Sequence, residues 1–257
     1  SVAEELRHLK ILTRVKESAK QHLSRTCLAL HAIPPNSCAQ KFISQVETKL
    51  LPQIAQDKLA EFVDVFIEEG FYSSADCDSF AQTAKELGLG LRVHADELTR
   101  SGGSQFAAKW QAKSADHLQF ANLDDFKALK NSSTVATILP GTSLCTKIPY
   151  TKANLMRQAG CAIAIASDYN PGSCTIYNLS FIATLASLYC GLSLAETIAG
   201  VTYIPAMSLG LEKTKGALAP GYDADLTIWK LEEASQWLES FGQKSPAQVW
   251  VKGQSLI

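Results

Sequence analysis

The sequence predicts an α/β fold of repeated strand–helix units around a parallel sheet, and three observations predict it. Short runs that are apolar along their whole length alternate with longer segments whose apolar residues recur three or four positions apart. Several of the longer segments close with glycine, the usual helix stop. The short runs end, rather than begin, in reactive or turn-forming residues.

The predicted strands come in order: TCLALHAI (26–33), FVDVFIEEG (62–70), LGLRVHA (89–95), SADHL (114–118), TVATILPG (134–141) and CAIAIASD (161–168). Between them AQKFISQVETKLLPQIAQ, DSFAQTAKELGLG, SQFAAKWQAK, LDDFKALKN and YTKANLMRQAG read as helices. Strands buried on both faces and separated by helices form βα units, six of them here, the arrangement of an incomplete (β/α)8 barrel. We assign residues 1–210 to this domain and 211–257 to part of a small β domain, because LEKTKGALAPGYDADLTIWK is punctuated by Gly and Pro and AQVWVKGQSL is strand-like. The uncharged stretch from Cys174 to Ala195 is long enough to span a bilayer. Asn178, its hydroxyl residues and the Ser193-x-x-Glu196 capping box favour two buried helices joined near Gly191 instead.

Composition narrows the partners. With 257 residues, 46% of them hydrophobic, the chain can bury a large core. Its 24 basic and 25 acidic residues nearly cancel, and no basic stripe appears, so nucleic acid and anionic membrane have no electrostatic support and a small molecule is the expected partner. The seven cysteines are odd in number, scattered and without C-x-x-C, which predicts reduced thiols and a cytoplasmic location.

In a barrel of this kind the chemistry sits at the carboxyl ends of the strands. His31, Glu68 and Glu69, His94, His117, a Pro140-Gly141 turn and Asp168 occupy those ends. A single histidine on an apolar strand is more often a hydrogen-bonded core residue than a ligand. His94 and His117 have a stronger case, since VHADE and ADH set imidazole beside carboxylate, the pairing that orients a metal ligand or a base. Asp168, followed by Tyr-Asn-Pro-Gly, is either a carboxylate presented on a tight turn or a turn former. Asp96 and Asp116 are expected to cap helices or accept hydrogen bonds, and Glu68 and Glu69 to be rim charges outside the site. His8 and His22, in a charged helical stretch, are expected at the surface, and Gly102-Gly103-Ser104 as a βα turn.

Histidines at two strand ends and an aspartate at the last resemble the amidohydrolase superfamily of metal-dependent barrel hydrolases. LALHAIPP, FVDVFIEEGFYS, LRVHADELTRSGG, SADHL, ILPGTS and ASDYNPGS are together similar to its imidazolonepropionase family, and GALAPGYDADLTIW to the superfamily's return strand. The resemblance implies strands 3 to 8 of the barrel and hydrolysis of the cyclic amide 4-imidazolone-5-propanoate to N-formimidoyl-L-glutamate in histidine degradation. It also implies one metal, zinc or iron, held by His94 and Asp168. Asp168 would further accept a proton from the attacking water, His117 would polarise or protonate the reacting centre, and Glu97 would act beside it. Glu97 and His31 would hold the imidazolone ring, and Asn170, Gly172 and Ser173 the rest of the substrate. Members of the family tend to be homodimers.

The resemblance departs at one point. The family's His-x-His metal pair, at the end of the first barrel strand, has no counterpart in this chain. With six units where closure takes eight, the chain is expected to be the carboxyl-terminal part of a longer protein, and its edge strands to need cover. Three readings stay open on the sequence: a cyclic amide hydrolase of this family, another cyclic amidohydrolase or deaminase, and a catalytically inactive fragment.

Overall fold

Six parallel strands follow one another in chain order: β1 (Thr26–Leu30), β2 (Phe62–Ile67), β3 (Gly90–Ala95), β4 (Ser114–His117), β5 (Val135–Ile138) and β6 (Ile163–Ile165). The structure is a computed structural model that describes residues 1–257. It divides into two units, residues 1–121 with 131–134, and residues 122–130 with 135–257. All six predicted strands form, two short of the eight that close a (β/α)8 barrel, so the barrel is incomplete.

In the first unit β1 to β4 pair as parallel neighbours, with Thr26 opposite Phe62, Val63 opposite Leu91, and His94 opposite Asp116. The strands are short because the apolar runs are short. Val63, Val65 and Ile67 are fully buried, as are Val46, Leu50, Leu51 and Ile54 of the helical stretch 39–57. Each such side chain contributes about 1.5–3 kcal/mol by leaving water. That stretch contains a wide π turn at Val46–Leu50, which its periodicity does not announce. The helix Val2–Ser18 starts at a capping box between Ser1 and Glu4. Lys16 of this helix and Arg25, just before β1, both reach Glu61 at 2.5 and 2.9 Å. His8 and His22 are exposed, as expected.

The second unit carries β5 and β6, paired in parallel, and helices at Ala153–Ala159, Leu194–Val201 and Tyr203–Ser208. The uncharged stretch after Cys174 becomes one helical run, 179–190, ended by Gly191 at φ +80°, and a second helix capped by Ser193 and Glu196. No helix is long and apolar enough to cross a membrane. Near the carboxyl end β7 (Leu226–Ile228), β8 (Gln248–Val251) and β9 (Gln254–Ser255) form an antiparallel sheet. What reads as one strand in AQVWVKGQSL is thus a hairpin, turned at Lys252 and Gly253 with φ of +49° and +75°.

One expectation is corrected. Pro140-Gly141 is not a turn but the start of a helix, Pro140–Thr146. Proline fits the first helical turn, where its missing N–H has no partner to lose.

Candidate active site and metal centre

Alternation along β2 and β3 brings the chemistry of the first unit together. On β3 the less buried side chains, Arg92 and His94, share one face, while Leu91, Val93 and Ala95 are buried on the other. Arg92 lies over the Phe62 ring, its Cζ 4.3 Å from the centroid, and donates to Ser114 Oγ at 2.9 Å. Two residues further along, His94 meets Asp64 of β2 and His31, the first residue after β1.

Asp64 is the centre of this cluster. Its Oδ1 lies 2.9 Å from His31 Nε2 and 2.8 Å from His94 Nδ1, and its side chain is 3% exposed. Burial by itself raises this carboxyl, but attraction to His94 and the hydrogen bonds from both imidazoles outweigh it and hold Asp64 well below the ordinary range. The rings of His31 and His94 meet edge to face at 4.3 Å, and His117 stands 5.0 Å beyond His94. One atom each from His31, Asp64 and His94 lie within 4.8 Å of one another, close enough to serve one metal ion. No motif in the sequence marks Asp64. Its signal was a lone acid inside an apolar strand, which burial tolerates only with partners.

His117 ends β4, is 2% exposed and lies 3.5 Å from Glu97, measured from Nδ1 to Oε1. Burial foremost, and then the neighbouring His94, push its imidazole well below the ordinary value, so it is neutral near pH 7. Glu97 sits in the loop after β3 between two anchored neighbours. Asp96 is fully buried and accepts from Gly102 N at 2.9 Å and from Ser104 N and Oγ at 3.0 and 2.5 Å, so it caps the helix Gly103–Lys109 from a distance. Gly103 is obligatory in that helix start, because a Cβ there would stand 2.7 Å from Ala95 Cα. On the other side Glu68, read in sequence as a rim charge, is 3% exposed and accepts from the N–H groups of Leu98 and Thr99. Glu69 is exposed.

Asp168, Asn170, Gly172 and Ser173 fall in the second unit. Thr142 Oγ1 donates to Asp168 Oδ2 at 2.5 Å, and Ser173 Oγ to the same oxygen at 3.4 Å. Asn170 organises the loop: its Oδ1 accepts from the N–H groups of Gly172 and Ser173 at 2.8 and 2.7 Å, and its Nδ2 donates to Asp168 O at 2.7 Å. Asp96, His117, Leu118 and Asp168 all have positive φ, between +49° and +78°. Such backbone in non-glycine residues is uncommon and clusters at functional sites.

Parallel βα units that bring imidazoles and carboxylates together fit the amidohydrolase class of folds, and the comparisons agree. The model described as the amidohydrolase family matches residues 72–256, and the chain belongs to that family. Among curated proteins it is similar to imidazolonepropionases. That of Symbiobacterium thermophilum is 38% identical over 100% of this chain and 61% of its own length, and that of Acinetobacter baumannii 35% identical over 98% and 64%. The chain therefore spans under two thirds of these relatives. Solved structures share the fold at low identity. An N-isopropylammelide isopropylaminohydrolase from Burkholderia multivorans matches with a TM-score of 0.76 at 12% identity, covering 98% of this chain and 67% of its own. An adenosine deaminase from Xanthomonas campestris with bound zinc gives 0.73 at 14%, covering 96% and 63%.

Proposed function

We propose that this chain supplies most of the catalytic rim of a metal-dependent hydrolase that opens the cyclic amide of 4-imidazolone-5-propanoate to give N-formimidoyl-L-glutamate, a step of histidine degradation. The observation that carries the reading is the convergence of His31, Asp64 and His94 from three adjacent strands. Imidazole together with carboxylate is a donor combination that suits zinc or iron. His94 keeps the ligand role implied by the resemblance, and Asp64 fixes its tautomer. With Nδ1–H given to Asp64, the lone pair of His94 is left on Nε2. The metal would supply a Lewis acid that polarises the ring carbonyl and makes hydroxide available near neutral pH.

The remaining roles belong to the chain's own groups. Asp168 takes the proton of the attacking water and returns it to the departing ring nitrogen. His117, being neutral, acts on the reacting carbonyl by hydrogen bonding rather than by charge. Glu97 and His31 hold the ring, and the turn built by Asn170, Gly172 and Ser173 holds the substrate beyond the scissile bond. The partner is a small molecule, and the family resemblance favours a homodimer. The seven unpaired cysteines support a reducing compartment, the cytoplasm.

The test is direct: purified chain, loaded with zinc or ferrous iron, is mixed with freshly generated 4-imidazolone-5-propanoate. Formimidoylglutamate is then measured by mass spectrometry. Product formation above the chain-free rate is expected, and its absence with both metals would remove the assignment for this chain.

A further inference from the structure

We propose that Glu68 is a positioning residue that holds the loop after β3 and thereby sets the place of Glu97. It rests on the reading just given, in which Glu97 holds the substrate ring. Glu68 follows β2 directly, is 3% exposed, and uses both carboxylate oxygens on a neighbouring strand's loop. Oε2 accepts from Leu98 N at 2.9 Å and Thr99 N at 3.2 Å, while Oε1 accepts from Glu69 N at 2.9 Å and from the Thr99 hydroxyl.

Its own backbone is tied as well. Glu68 N donates to Tyr72 O at 3.1 Å and Phe71 N to Glu68 O at 3.0 Å, closing a turn through Gly70 at φ +84°. A buried carboxylate fixed at its base and clamped onto two successive N–H groups is a rigid strut. The far side of the loop is held independently, since Asp96 caps the next helix and its carbonyl accepts from Phe120 N at 2.9 Å. Glu97 is thus the residue between two anchors, one of them Glu68, and it reaches His117 at 3.5 Å. None of the hydrolytic steps requires Glu68 to touch substrate. Its carboxylate is engaged by protein donors on both oxygens, which is what a positioning role needs and a catalytic one does not.

The experiment combines a substrate-free measurement with a mutant cycle on the metal-loaded protein. Amide hydrogen exchange is followed in wild type, Glu68→Gln and Thr99→Val, the last keeping Glu68 but removing one donor, so that it carries the test if Glu68→Gln does not fold. Exchange at Leu98 and Thr99 is expected to quicken about tenfold or more, with the helix 39–57 unchanged. In turnover, Glu68→Gln is expected to lower kcat/KM about tenfold in the wild-type background but less than about twofold when Glu97→Gln is already present, because coupled residues are non-additive. Unchanged exchange at Leu98 and Thr99, or additive losses in the cycle, would overturn the proposal. If wild type turns over no imidazolone, the functional reading fails and the exchange result alone decides the role of Glu68.

Discussion

Replacing Asp64 with Asn tests the centre of the cluster with the smallest change of shape. Asp64 accepts from His31 and His94 at 2.9 and 2.8 Å in a site almost closed to water. Hydrogen bonds to a charged group contribute about 1.5–3 kcal/mol and neutral ones about 0.5–1.5, so the two bonds together lose about 2 kcal/mol. Burial opposes that loss, since an amide is less costly to bury than a carboxylate, and the net effect on folding is expected to stay under about 2 kcal/mol. The larger effect is expected on binding of the metal proposed at His94. Loss of a group that orients a ligand imidazole typically weakens metal binding about 10–100-fold, or about 1.4–2.8 kcal/mol. Zinc affinity is measured at pH 7 by competition with a chromophoric chelator, and stability by urea denaturation on the same samples. A folded variant that binds zinc as tightly as wild type would refute the orienting role. Complete loss of binding in a folded variant would refute it differently, by making Asp64 itself a ligand.

Three further outcomes are expected. Gly103→Ala forces a methyl to within 2.7 Å of Ala95 Cα, so the helix must shift against β3 at about 1–3 kcal/mol in urea denaturation, and an unchanged midpoint would contradict the close approach. Glu61→Gln should cost about 1 kcal/mol at pH 7, discounted for a carboxylate one-third exposed. Burial opposes the ionisation of Glu61, yet Arg25 and Lys16 hold it at about 2, against 4.5 unfolded. Its contribution is therefore full above pH 4.5 and fades as pH falls towards 2, so the wild-type advantage should shrink across that window. Ser193→Ala removes the hydroxyl that accepts from Glu196 N at 3.3 Å and should cost about 1 kcal/mol, while Ser193→Asp should retain most of it.

Most of the fold was legible because its strands are unbroken apolar runs, as in CAIAIAS, and its helices stop at residues such as Gly160 and Gly191, both with positive φ. The capping box at Ser193 was legible for the same reason: the signal is local. What escaped the sequence depends on neighbours far along the chain. Asp64 looks like an interruption of FVDVFI until parallel pairing sets it beside His31 and His94, 33 and 30 positions away. Glu68 looks like a rim charge until the loop at Leu98 and Thr99 folds over it. The π turns at Val46–Leu50 and Ala186–Cys190 have no residue signature that separates them from ordinary helix.

The left-handed backbone at Asp96, His117, Leu118 and Asp168 bears on how these positions tolerate mutation. Each position is filtered twice, once for what its side chain does and once for whether its main chain can bend that way. Valine, isoleucine and threonine fail the second filter whatever their chemistry. Leu118, wholly buried and without a polar atom in its side chain, separates the two: its intolerance to β-branched residues in a saturation library measures the cost of the bend alone. The excess intolerance at His117, its neighbour on the same bend, then measures the chemistry.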